Sequence, residues 1–196
     1  MDGLIRLAGA LLFALALGLA ALTPACTPAT PPFHGADLSG ADYGQHWQLT
    51  DSEGQSRSLA DYRGQVLLIY FGFTHCPDIC PVTLGHLRDT VKTLGPAAEQ
   101  VRVLFVTVDA EHDTPAVLHD YLRNFGPRFT GLTGSTAALA AAAKDFKVYA
   151  EKKGEVGFEH AGFVYALDRQ GKPRVLYGPD ASAGDIAEDV QRLLKS

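Results

Sequence analysis

The apolar positions of this chain fall into three patterns, and each predicts a different kind of element. Val66-Leu-Leu-Ile-Tyr-Phe-Gly-Phe73 and Val101-Arg-Val-Leu-Phe-Val-Thr-Val-Asp109 are short, nearly continuous apolar runs, as a strand buried on both faces requires. Leu84, Leu87, Val91 and Leu94 recur at helical spacing after Pro81, a residue suited to the first turn of a helix. A second helix begins at Thr114-Pro115, with Val117, Leu118, Tyr121, Leu122 and Phe125 as its apolar face and Gly126-Pro127 as its stop. An Ala-rich third helix runs from Ser135 to about Phe146. A last one begins after Ser182, a candidate N-cap, and turns Ile186, Val190, Leu193 and Leu194 inward. Two stretches fold back on themselves: Trp47–Thr50 with Gln55–Leu59 around Asp51-Ser-Glu-Gly54, and Phe163–Leu167 with Arg174–Tyr177 around Asp168-Arg-Gln-Gly171. Val148-Tyr149 begins a short strand.

The resulting order is hairpin, strand, helix, strand, helix, short strand, helix, hairpin, helix. Parallel crossovers come first and antiparallel strands last. That is the order of a thioredoxin-like α/β domain, with a mixed central sheet and an N-terminal β-hairpin. With no internal repeat and no shift in composition, residues 36–196 read as one domain.

The third pattern is the long apolar run Leu7–Leu22 (LAGALLFALALGLAAL), preceded by Arg6 and succeeded by Thr23-Pro-Ala-Cys26. Residues 1–26 therefore read as a secretory signal or membrane anchor. Three fates stay open: acylation at Cys26, an uncleaved helical anchor, or cleavage. Thr23 and Pro24 depart from the usual lipoprotein pattern, and Asp2 weakens the charged start. Each fate exports the domain across a membrane, and the expected location is the cell membrane, on the periplasmic or extracytoplasmic face, anchored by the N-terminus. Residues 27–35, rich in proline, read as a tether. The chain has 196 residues, 46% hydrophobic and 20% charged, and a formal charge of −5 with no basic run, so no nucleic-acid partner is expected. Three cysteines are too few for a disulfide framework.

Two of those cysteines carry the chemistry. Cys76 and Cys80 lie in Phe71-Gly-Phe-Thr-His-Cys-Pro-Asp-Ile-Cys-Pro81, where the first buried strand passes into a helix. Such a pair can cycle between dithiol and disulfide or hold a soft metal ion, and a helix N-terminus favours the thiolate that both need. A static disulfide is the plain alternative, but its loop is too small to contribute much. His160 lies far downstream, just before the strand Phe163–Leu167, which in a thioredoxin-like fold faces the cysteine loop. A cis-proline usually occupies that position, and here no proline occurs between Pro127 and Pro173. Two thiolates plus an imidazole suit a soft copper ion such as Cu(I).

The segment from Tyr70 to His86 resembles the signature of the Sco/SenC family, the thioredoxin-like copper chaperones of cytochrome c oxidase assembly. So does Thr107-Val-Asp-Ala-Glu-His-Asp-Thr-Pro115, with Ala110 where the family has proline. Gly131-Leu-Thr-Gly134 and Glu159-His160 continue the likeness, which covers Gln48 to the C-terminus. The resemblance implies copper ligation by Cys76, Cys80 and His160 and delivery to the binuclear copper centre of the oxidase subunit. It also implies that the redox-active pair Cys76 and Cys80 reduces that partner's cysteines, with other copper chaperones or thiol reductants as further partners. The runner-up is a membrane-tethered thiol–disulfide oxidoreductase in which Cys76 attacks and Cys80 resolves, so whether the chain is an enzyme stays open. A peroxiredoxin-like peroxidase lacks its nucleophile's setting.

The remaining candidates are weaker. His75 is expected to point away from its neighbour Cys76, and His86 to be solvated. His112 and His119 have no evident partner. Asp78 is a candidate for partner contact or for raising the thiol pKa. Asp109 and Asp113 sit at the end of the second buried strand, on the cysteine edge; Asp113 is either an N-cap for the helix at Thr114 or a docking residue.

Overall fold

A computed structural model describes residues 32–153, 157–160 and 162–196. The signal or anchor segment, most of the tether, and Cys26 lie outside the described residues. Among the described residues the strands and α-helices are, in order, β1 (Ala36–Asp37), β2 (Gln48–Asp51), β3 (Ser56–Ser58), β4 (Val66–Gly72), α1 (Ile79–Leu94), β5 (Val101–Thr107), α2 (Pro115–Leu122), β6 (Phe129–Thr133), α3 (Thr136–Asp145), β7 (Ala150–Lys153), β8 (Gly157–His160), β9 (Val164–Leu167), β10 (Pro173–Tyr177) and α4 (Ala183–Lys195). Eight strands form one sheet in the order β1-β10-β9-β4-β5-β6-β2-β3. β4, β5 and β6 run parallel, while β9 pairs antiparallel with β4 and β2 antiparallel with β6. The mixed sheet, parallel at its centre and antiparallel at both flanks, is the architecture expected from the order of elements.

β4 shows why the apolar runs are continuous. Its side chains alternate between two cores. Val66, Leu68 and Tyr70 face a layer made by α1, α2 and α4, with Leu84, Leu87, Leu118 and Val190 fully buried there. Leu67, Ile69 and Phe71 face Leu139, Ala142 and Phe146 of the α3 side, together with Trp47 and Leu59. Each such side chain contributes roughly 1.5–3 kcal/mol of burial, so these two layers fix β4 and β5 as the rigid floor of the molecule.

Three features differ from expectation. The short strand between the second and third helices is β6, whose Gly131 lets α2 approach; a Cβ there would lie 2.7 Å from Leu118 Cβ. The strand begun near Val148 belongs to a separate two-stranded ribbon, β7–β8. The last residues of the proline-rich stretch are fastened to the domain: the amide of His34 donates to the buried carboxylate of Asp189 at 2.9 Å, and Arg192 donates to the Pro32 carbonyl at 2.8 Å. Backbone donors meeting a buried acid on α4 hold residues that composition alone marks as linker.

Candidate metal centre

β4 ends at Gly72, and the chain turns over the sheet edge before α1 begins at Ile79. Neither Cys76 nor Cys80 is in a disulfide. Cys80 is the second residue of α1 and completely buried, whereas Cys76 is only half-buried. Gly72 makes room for the deeper sulfur: a Cβ there would lie 2.8 Å from Cys80 Sγ and 2.9 Å from Phe105 Cε2. Tyr70, on β4 two residues earlier, donates its hydroxyl to Cys80 Sγ at 3.5 Å. The Phe73 amide and the Cys76 side chain also hydrogen-bond with Cys80.

Burial decides the protonation of this thiol. Cys80 is pushed up to about 12 by loss of solvent, against the lowering effect of the Tyr70 hydroxyl and the Phe73 amide. A helix N-terminus favours thiolate, but at Cys80 its partial charge is outweighed by desolvation. Tyr70 and Tyr121 are likewise raised, by burial first and by Cys80 next. Among the described residues the buried Tyr121 hydroxyl has no hydrogen-bond partner.

A buried acid fixes the cysteine loop in place. Asp113, with no exposed surface, accepts from the Thr74 amide at 3.1 Å and from the hydroxyls of Thr74 and Thr107. It is therefore neither helix cap nor docking residue. Thr114 caps α2 instead, its Oγ1 accepting from the Val117 amide at 3.3 Å. Asp109, also buried, accepts from His112 Nδ1 at 2.9 Å, which gives His112 a partner not evident from the sequence. An aspartate three residues before a histidine at a strand end was the available signal. His75 is exposed and presents its ring edge-on to His112, with centroids 5.7 Å apart. Asp78 occupies the N-cap position of α1 with no side-chain cap bond and is exposed. His119 lies among Glu53 and Asp120 at the surface.

His160 is the last residue of β8, where its backbone pairs with Ala150; its side chain lies outside the described residues. The backbone around it runs past the cysteine loop. Two residues earlier, the Phe158 ring packs on Phe73 with centroids 5.5 Å apart. Two residues later, a Cβ on Gly162 would lie 3.3 Å from Ile79, which sits between the cysteines.

Comparison with known proteins bears on this edge of the sheet. A family model described as SCO1/SenC matches residues 35–195. The mouse protein SCO2 homolog, mitochondrial, is 40% identical over 153 residues, which is 74% of this chain but 60% of that relative's length. Among solved structures, Bradyrhizobium japonicum ScoI with copper bound superposes with a TM-score of 0.70 at 34% identity, covering 76% of this chain and 97% of that one. BsSco, described by its disulfide switch and its membership of the Sco family of cytochrome c oxidase assembly proteins, superposes with a TM-score of 0.69 at 27% identity, covering 82% of this chain and 97% of its own.

Proposed function

This chain belongs to the SCO1/SenC family, and on that premise we propose that it is a copper chaperone whose cargo ion is held by Cys76, Cys80 and His160. It delivers that ion to the binuclear copper centre of cytochrome c oxidase. The observation that carries the reading is the pair of hydrogen-bonded thiols at the rim of the sheet, one sealed and one half-open, with Phe158 and Gly162 on either side of His160 packed against Phe73 and Ile79 of the cysteine segment.

The chemistry rests on their unequal burial. Cys80 keeps its proton at neutral pH in the metal-free protein, so an incoming copper ion must displace it, and loading releases a proton. Once formed, the Cys80 thiolate is screened from water and receives a hydrogen bond from Tyr70, which makes it the persistent ligand. Cys76, half-buried, is the sulfur that a partner's thiol reaches first. Transfer then proceeds by ligand exchange, beginning at Cys76 and ending at Cys80, with the histidine completing a site suited to Cu(I). Residues 1–26 export and hold the protein at the membrane, and the tether starting at 27 gives the domain its reach.

The same thiols support a second role. They can form a disulfide, and the dithiol here can reduce a partner's disulfide to two thiols, becoming a disulfide itself, so that a thiol reductant must restore it before it carries copper. A disulfide offers no thiolate, so the two states exclude each other. The reduced protein is expected to take up one Cu(I) ion, and the form converted to disulfide, confirmed by mass, to take up no Cu(I) until reductant is added. Stoichiometric Cu(I) in the disulfide form would remove the thiols from the site.

A further inference from the structure

The loop after β5 holds a second set of donors that the thiol chemistry does not use. Asp109, Glu111 and His112 bring one ligand atom each to within 4.8 Å of one another. His112 donates Nδ1–H to the buried Asp109 carboxylate, with both oxygens within 3.0 Å, so its lone pair is carried on Nε2. A carboxylate that orients an imidazole in this way is the usual outer support of a metal-binding histidine. His75 is a further imidazole nearby. Its Nδ1 lies 3.3 Å from Thr74 Oγ1, and its ring meets that of His112 at 5.7 Å. Both loops are pinned by Asp113, which bonds Thr74 on one and Thr107 at the foot of the other.

We propose that His112 and Glu111, oriented by Asp109 and joined by His75, form a second metal site that takes a divalent cation. Imidazole and carboxylate are harder donors than thiolates, so this site selects Cu(II) or Zn(II) where the cysteines select Cu(I). It stands at the same edge of the sheet as the thiols and is independent of whether they carry copper.

The test uses the full-length chain carrying Cys76→Ser, Cys80→Ser and His160→Ala, which removes the thiol site, titrated with Cu(II) and monitored by electron paramagnetic resonance. One bound Cu(II) per chain, with nitrogen hyperfine structure from imidazole, is expected. Adding His112→Ala or Glu111→Gln, each removing a direct ligand, should weaken it by at least about 10–100-fold, the cost of losing even an outer-sphere partner. Thermal melts of these variants check that the fold survives, and the wild-type chain in its disulfide form gives the same comparison with the buried Cys80 unsubstituted. No stoichiometric binding, or an affinity unchanged by either His112→Ala or Glu111→Gln, overturns the proposal.

Discussion

Cys80→Ser is expected to lower the copper affinity of the reduced protein by more than ~100-fold, beyond what loss of an outer-sphere partner costs. The serine hydroxyl is a hard donor that stays protonated, and the site leaves no route for a substitute. Cys80 has no exposed surface, and its sulfur lies against Gly72 and the Tyr70 hydroxyl inside the apolar core, so water cannot take the position. Cys76→Ser should be the milder change, because an exogenous thiol can reach a half-buried position. Competition titration of both variants against a Cu(I) chelator reads the difference. Equal losses would contradict the ordering of the two sulfurs, and wild-type affinity in Cys80→Ser would place copper elsewhere.

Asp113→Ala should destabilise the protein by about 2–3 kcal/mol, the upper part of the range for leaving buried donors without their acceptor. The alanine leaves the Thr74 amide and the hydroxyls of Thr74 and Thr107 without their acceptor in a dry interior. Because Thr74 precedes the cysteine segment, the same change loosens the loop, and copper affinity should fall along with stability. Urea unfolding of the metal-free protein measures the first effect. A loss under about 1 kcal/mol would mean that water replaces the acid, and that the loop is held by other contacts.

The legible parts of this fold were those with a strong local period. β4 and β5 had to be buried on both faces because their apolar runs have no polar side, and the layers on either face of β4 bear this out. The helix after the cysteines was visible from Leu84, Leu87 and Leu94, all buried. The contacts that fix the site were not visible, since each joins residues far apart in sequence or depends on a missing side chain. Nothing around Asp113 announces Thr74, 39 positions away. Gly72 reads as a weak point in a strand until the Cys80 sulfur is seen against it. The thiol pKa is hidden for a related reason: sequence places Cys80 at a helix N-terminus, which favours thiolate, but cannot show how completely the apolar core covers it. Asp189 was hidden within the inward face of α4, where an acid is unexpected until the amides of His34 and Gly35 are found on it.

The most direct measurement of the central claim is the occupancy of the oxidase's binuclear copper centre in cells whose only copy of this protein carries His160→Ala. That variant keeps both thiols and so keeps the capacity to form and exchange a disulfide, while losing the ligand that turns a dithiol into a controlled copper site. At limiting copper an under-filled centre and low oxidase activity are expected, both restored by added copper salt. Normal occupancy at limiting copper would contradict the claim, and would identify the chain as a thiol–disulfide oxidoreductase that needs only Cys76 and Cys80.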